Sequence, residues 1–304
     1  MEKLRAAILG PGKIGEFHAR EFKNVGCDVV AILTSSEKTA KERAEKLKLS
    51  YGIDAVPYWD LEKLLEKEKP DVVSICTPPE YHSRQIRRCL SYNSHVLCEK
   101  PLVLDSEYDN HRVVEELFNL AKSHGKILST NTQWISLLEK IPAPLKNDIE
   151  KFSVYMEPAK KGFVNMASDV LPHMNSFLIK LLGQRPIERL DFLLGNEIAT
   201  IAFDYGGVPV SYKMKVKEER PRQMTFYING VEFERKVENV GGVYRNKLEY
   251  DGKTMCVEDP LNVSIRRFIS AIKGAGELLV SEPDALYNIK MQDAIIQEVE
   301  SRVK

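Results

Sequence analysis

The chain has little of what would place it outside a cell, in a bilayer or on a polyanion. Its cysteines, Cys27, Cys76, Cys89, Cys98 and Cys256, are odd in number and show no C-x-x-C spacing. A disulfide framework or a cysteine-held metal is therefore not expected. Cys27, Cys76 and Cys98 fall in apolar, strand-like runs, where a thiol behaves as a small core residue. The six histidines are scattered and form no metal-ligand cluster. No apolar run approaches the ~20 residues of a membrane span. Met1-Glu2-Lys3-Leu4 runs straight into a short strand without a signal-peptide layout. Lys plus Arg and Asp plus Glu number 44 each, so the basic excess that nucleic acid or an anionic membrane would favour is missing. There is no internal repeat and no low-complexity stretch. The expectation is a cytoplasmic protein in a reducing compartment, with a small molecule rather than nucleic acid or membrane as partner.

What is present is periodicity of two kinds. At 304 residues the chain is long enough for about two domains. The first 130 residues alternate strand and helix signals. Apolar runs at Leu4–Leu9, Cys27–Leu33, Ala55–Tyr58, Val72–Cys76, His95–Cys98 and Ile127–Thr130 are separated by amphipathic stretches at Lys13–Val25, Ser36–Leu49, Leu61–Glu68, Glu80–Leu90 and Asp105–His124, the last capped by Asp105 or Ser106. Six such strands predict a doubly wound parallel sheet, a Rossmann-type α/β domain over residues 1–130. Ile141-Pro142-Ala143-Pro144 then breaks the period. A strand at Phe152–Met156 and a helix within Val164–Leu182 follow. Short alternating strands come next, from Ile187 to Val257, with turn signals at Gly206-Gly207, Asn229-Gly230, Gly241-Gly242 and Asp251-Gly252. Two helices close the chain near Leu261–Lys273 and Pro283–Val303. Residues 131–304 thus predict an α+β domain on an open, mostly antiparallel sheet, whose final helices pack back on the first domain.

The motif Gly10-Pro11-Gly12-Lys13-Ile14-Gly15 opens the first strand-to-helix turn. Its spacing has a mechanical reason: the first glycine permits the turn, the second lets backbone approach a pyrophosphate, and the third packs helix on strand. The phosphates then rest on the helix N-terminus. A glycine turn with no ligand is the alternative, but strand, glycines and helix occur in the order the motif requires. The second strand ends in Thr34-Ser35-Ser36, where an NAD site usually carries a carboxylate. Hydroxyls here, with Lys38, Lys41 or Arg43 nearby, favour NADP over NAD; otherwise Ser35 or Ser36 simply caps the next helix.

Two clusters carry further chemistry. Glu99-Lys100-Pro101 ends the fifth strand, where a lysine would point at the working end of a bound dinucleotide as hydrogen-bond donor, charge stabiliser or proton relay. Lys100-Pro101 is also a candidate cis peptide. Asp169 and His173, spaced i and i+4, share a helix face. The carboxylate can orient the imidazole, and the imidazole can exchange a proton with a substrate hydroxyl. Pro172 between them predicts that the helix starts close by, with Ser168 as cap, because proline is tolerated only in the first turn. The expectation is that Lys100 and His173 converge on one nicotinamide ring.

These motifs resemble the glucose-fructose oxidoreductase / inositol dehydrogenase / MocA (Gfo/Idh/MocA) family: the glycine loop followed by His18, then Thr77-Pro78-Pro79-x-x-His82, Glu99-Lys100-Pro101 and Asp169-x-x-x-His173, with Phe268-Ile269-x-Ala271-Ile272 near the end. The resemblance implies NAD(P)-dependent hydride transfer to or from a carbonyl or alcohol carbon of a sugar or polyol derivative. Lys100, Asp169 and His173 would be catalytic, with His173 as acid/base. Thr77, Pro78, Pro79, His82 and Glu99 would line the cofactor cleft, and Asn131, just past the sixth strand, would lie near the nicotinamide. It also implies a homo-oligomer assembled through the C-terminal sheet. Pro172, Ser176 and Gln133 depart from residues common in relatives, so the substrate does not carry over. An imine reductase, a non-catalytic NAD(P)-binding regulator and an NAD-assisted glycosidase are the alternatives that the family contains.

Overall fold

The computed structural model describes residues 3–104, 109–240 and 243–303. The chain forms two compact units, the described parts of Met1–Thr132 with Leu261–Leu286, and Gln133–Pro260 with Tyr287–Lys304.

The first unit carries β1 (Arg5–Leu9), α1 (Lys13–Asn24), β2 (Asp28–Leu33), α2 (Glu37–Tyr51), β3 (Val56–Tyr58), α3 (Leu61–Glu68), β4 (Val72–Ile75), α4 (His82–Ser91), β5 (His95–Glu99), α5 (Asn110–Ser123) and β6 (Leu128–Asn131). Its six strands are all parallel, in the order β3-β2-β1-β4-β5-β6. The order reverses between β1 and β4, so the crevice for a ligand opens beyond the carboxyl ends of those two strands. Continuous apolar runs are what a sheet covered on both faces requires: Ala6–Leu9 and Val72–Ile75 are fully buried. Helix α7 (Pro260–Ile272) adds Leu261, Ile265, Phe268 and Ile269 to the same core as Ala6, Phe22 and Ile32. Helix α5 is capped by Asp109, whose side chain accepts from the Arg112 amide at 3.2 Å; Asp105 and Ser106, the expected caps, lie outside the described residues.

The second unit holds β7 (Phe152–Met156), α6 (Phe163–Leu182) and β8 (Ile187–Leu194), β9 (Ile198–Tyr205), β10 (Val208–Lys215), β11 (Met224–Ile228), β12 (Val231–Val240), β13 (Val243–Tyr250) and β14 (Lys253–Val257). The strand order is β14-β13-β12-β11-β7-β10-β9-β8, antiparallel throughout except for the β7–β10 pair. The hairpin tips at Gly206-Gly207, Asn229-Gly230 and Asp251-Gly252 all have two consecutive residues at positive φ, as a two-residue turn between twisted strands demands. The expected turn at Gly241-Gly242 lies outside the described residues. Helix α6 covers one face of the sheet, where Phe177 meets Phe226 at 5.0 Å and Phe226 stacks on Phe233. Helix α8 (Glu282–Val303) ends the chain. Among the described residues no helix is long and apolar enough to cross a membrane.

One expectation is corrected. Helix α6 does not start near Ser168; it starts at Phe163 with Gly162 as N-cap, and Pro172 sits deep inside it. Packing overrides the local preference, because Leu171 through Phe177 are all buried. The Pro172 carbonyl is held by Asn288 Nδ2 at 2.7 Å and by the Ser176 hydroxyl at 2.8 Å.

Candidate active site

The glycine loop behaves as its spacing requires. Gly10 has φ +77° and its amide is fixed to the Leu33 carbonyl at 2.9 Å; a Cβ there would meet the Cys76 carbonyl at 2.8 Å. A Cβ on Gly15 would collide with the Gly10 carbonyl. Gly12 differs: it is the N-cap of α1, has an ordinary φ of −74°, uses no side-chain cap, and a Cβ on it would meet no atom within 4 Å. Gly10 and Gly15 are thus required by the protein's own packing, whereas the space over Gly12 is open to a ligand. Pro11 is buried, Lys13 is exposed and Ile14 is half-buried at the same turn.

Beyond β2, the Ser36 hydroxyl accepts from the Thr39 amide at 3.2 Å and donates to the Thr39 hydroxyl at 2.9 Å, so it serves as the α2 cap. Thr34 donates to the Ser36 carbonyl. Arg43 pairs with the buried Glu16 at 2.8 Å, and Lys41 with Glu37 at 2.7 Å. Ser35 and Lys38 are exposed. An open cleft of about 370 Å³ lies beside this strand end, lined by Leu33, Trp59, Asp60, Tyr81, Arg84 and Gln85 among others. Trp59 and Tyr81 are half-exposed aromatic walls, at 49% and 53%. Trp59, Tyr81 and Arg84 escape a reading of the sequence alone, because the β3-β2-β1-β4 order rather than chain proximity collects them.

The Thr77 and Lys100 segments are tied together from below. His82 is fully buried, with Nδ1 2.9 Å from the Pro101 carbonyl and Nε2 2.9 Å from the Thr77 carbonyl. Burial holds its pKa below the ordinary histidine range. Both ring nitrogens of His82 are thus taken up by these two backbone carbonyls. Thr77 donates to Gln85 at 2.6 Å; Pro78 is exposed and Pro79 half-buried. The Lys100–Pro101 peptide is cis.

Next to Lys100 is a buried ionic network. His18 Nε2 lies 2.9 Å from Glu99 Oε1, and Nδ1 lies 2.8 Å from Ser74 Oγ. Asn131 Nδ2 donates to the same Glu99 oxygen at 2.5 Å, and Asn131 Oδ1 accepts from Ser264 of α7 at 2.8 Å. Burial works against the charge on His18, but the Cys76 sulfur and the Glu99 carboxylate outweigh it and hold the imidazole up at about 10. Burial also works against the charge on Glu99, but His18, Asn131 and Lys100 hold that carboxylate down at about 2. Asn131 is the last residue of β6 and fully buried, so its amide is committed to this network.

In the second unit Asp169 and His173 stand one turn apart on α6. Asp169 Oδ2 accepts from the Ala159 amide at 2.9 Å and faces Arg222 Nη1 at 4.0 Å. His173 is buried, edge-to-face with Trp134, ring centroids 6.1 Å apart. Both tryptophans of the chain therefore stand beside a candidate site, a signal that the sequence carried unread. Among the described residues no cluster of three or more His, Cys, Asp or Glu could hold a metal ion.

Comparison with known proteins fits this geometry. Residues 4–132 match a family described as oxidoreductases with an NAD-binding Rossmann fold, GFO_IDH_MocA. Over 113 residues the chain is 32% identical to a myo-inositol 2-dehydrogenase of Thermotoga maritima, covering 37% of this chain and 32% of that protein. Over 128 residues it is 33% identical to a D-glucoside 3-dehydrogenase of Escherichia coli, covering 41% and 34%. The matched stretch thus spans about a third of the length of these relatives. In structure, a UDP-N-acetylglucosamine 3-dehydrogenase of Acidithiobacillus ferrooxidans superposes with a TM-score of 0.76 at 17% identity, covering 100% of both chains. A myo-inositol 2-dehydrogenase of Lactobacillus plantarum gives 0.74 at 18%, covering 97% of each. The likeness to the Gfo/Idh/MocA oxidoreductases, with their NAD-binding Rossmann fold, is thus carried by residues 4–132, less than half of the chain.

Proposed function

We propose that the chain is an NAD(P)-dependent oxidoreductase acting on a carbonyl or alcohol carbon of a sugar or polyol derivative, with Lys100, Asp169 and His173 as its catalytic group. The observation that carries the reading is the open space over Gly12 at the N-terminus of α1, between two glycines that admit no side chain. A bound nicotinamide supplies the two-electron chemistry. The chain supplies the rest: Gly10–Gly15 holds the pyrophosphate and Lys100 polarises the reacting oxygen. His173, oriented by Asp169, takes or returns the proton of the substrate hydroxyl. The His18–Glu99 pair keeps a carboxylate ionised beside Lys100.

NADP is the proposed cofactor in preference to NAD. Residues 34–36 offer no carboxylate, Lys38 is exposed, and Arg84 adds a second cation at the cleft beside Leu33. The enzyme is further proposed to work as a homo-oligomer joined through the sheet of the second unit, which light scattering of the purified chain tests directly.

The function is tested by fluorescence titration with NADH and NADPH, followed by a carbonyl and sugar screen at 340 nm. Lys100→Ala is expected to lower kcat by about 100-fold or more while cofactor still binds. Tight NADPH binding with turnover unchanged in Lys100→Ala would refute the mechanism.

A further inference from the structure

Strand β12 carries a charge where an apolar side chain belongs. Side chains alternate faces along a strand, so Arg235 shares the α6-covered face with Phe233, which is fully buried. Its cross-strand neighbours in that row are Met224 and Leu248, both buried. The guanidinium lies flat over Trp134, 4.2 Å from the ring centroid. Nη2 donates to the Arg222 carbonyl at 3.1 Å and Nη1 to Asn246 Oδ1 at 3.3 Å, while Nε is buried with no acceptor.

All of these partners are neutral. Among the described residues no carboxylate is within ion-pair distance of Arg235; Asp259 acts on it from further off, and the charge of Arg220 opposes it. Arg222 contributes another guanidinium two residues beyond Arg220, facing Asp169. The indole that carries Arg235 on its face also meets His173, so this charge and the candidate acid/base are at most about 10 Å apart across one tryptophan. A half-buried cation whose Nε is fully buried and whose partners are neutral leaves room for an anion to complete it. A planar guanidinium in a desolvated setting is suited to carboxylate or phosphate oxygens.

We propose that the substrate carries an anionic substituent, a carboxylate or a phosphate, and that Arg235, braced by Trp134 and joined by Arg222, recognises it beside His173. The inference rests on the oxidoreductase reading above and narrows its substrate class.

The test compares matched pairs on the full chain with either cofactor: glucose against glucuronate and glucose 6-phosphate, and sorbitol against gluconate. The expected result is a kcat/KM at least about 30-fold higher for an anionic member than for its neutral partner. Arg235→Met should shrink that ratio at least about tenfold, and Arg235→Lys should recover part of it. Glucuronate or gluconate above glucose 6-phosphate identifies a carboxylate; the reverse order identifies a phosphate. Equal turnover of neutral and anionic partners, or equal losses on both in Arg235→Met, would overturn the proposal and leave the oxidoreductase reading standing. If no compound turns over, thermal shifts with gluconate and sorbitol decide it independently. Stabilisation by gluconate alone, lost in Arg235→Met, supports the anion site; stabilisation by neither or by both rejects it.

Discussion

The buried pair of His18 and Glu99 makes a quantitative claim about stability against pH. Replacing Glu99 by Gln keeps the shape and the oxygen that Asn131 and His18 address, but removes the charge. A histidine raised from 6.5 to about 10 stabilises the fold by up to roughly 5 kcal/mol below pH 6.5. That contribution shrinks as pH rises toward 10, to about 1 kcal/mol near pH 9.5. Glu99, lowered from 4.5 to about 2, has the opposite sign: its contribution is full above pH 4.5 and is lost as pH falls toward 2. The two shifts describe one interaction and are not added. It is therefore complete between about pH 4.5 and 6.5 and fades on either side. Cys76 accounts for part of the rise at His18, so Glu99→Gln is expected to cost about 3 kcal/mol at pH 6. In a chain of this size that is a fall of about 6 °C in Tm. Thermal melts of both proteins by circular dichroism at pH 6 and pH 9.5 should show the gap closing to about 2 °C. A variant as stable as the parent at pH 6, or a gap that stays constant to pH 9.5, would show that the pair is not ionised in the fold.

Gly12→Ala is expected to leave Tm within about 2 °C, since φ is ordinary and the added carbon meets nothing. It should nonetheless weaken NADPH binding at least about tenfold in a fluorescence titration. Gly10→Ala places a side chain at φ +77° against the Cys76 carbonyl and should cost about 2 kcal/mol or more. Arg84→Glu is expected to move the ratio of NADPH to NADH affinity toward NADH by about tenfold, and an unchanged ratio places the 2′-phosphate elsewhere. Pro172→Ala restores a backbone N–H inside α6. The helical gain of about 3 kcal/mol, less about 1 kcal/mol of unfolded-state entropy, should raise Tm by several degrees; no rise would mean that the helix has relaxed fully around the proline.

The parallel sheet was legible because β1 and β2 are nearly continuous apolar runs, short apolar segments recur between amphipathic helices after them, and Gly10 and Gly15 sit where only glycine fits. The hairpins were legible from Asn229-Gly230 and Asp251-Gly252, whose residues tolerate positive φ. The start of α6 was not. A proline rule that holds for an isolated helix lost to the burial of Leu171, Met174 and Phe177 on both sides of Pro172. The His18–Glu99–Asn131–Ser264 network was out of reach for a different reason. Its members lie 81, 32 and 133 residues apart, and no local pattern links them. Glu99 stood in a motif beside Lys100, but its partner was visible only as a histidine after a glycine loop.

Arg235 is the instructive case, because the information was local and still passed over. Val231, Phe233, Arg235 and Val237 share one register of a strand whose turn residues fix which side faces inward. A guanidinium in that row interrupts the apolar run from Val231 to Val237. Local inconsistency of this sort concentrates at functional positions, since elsewhere selection removes it. The second irregularity, a tryptophan in a chain that has only two, occurs at residue 134, about a hundred positions away, and the fold stacks one on the other. Either residue alone has an ordinary explanation, a stray surface arginine or a core aromatic. Their contact removes both explanations. The arginine is half-buried, the indole face carries its cation, and the same indole meets His173. The proposed substrate preference therefore rests on Arg235, Trp134 and His173 of the second unit, and not on the glycine loop and lysine motif of the first.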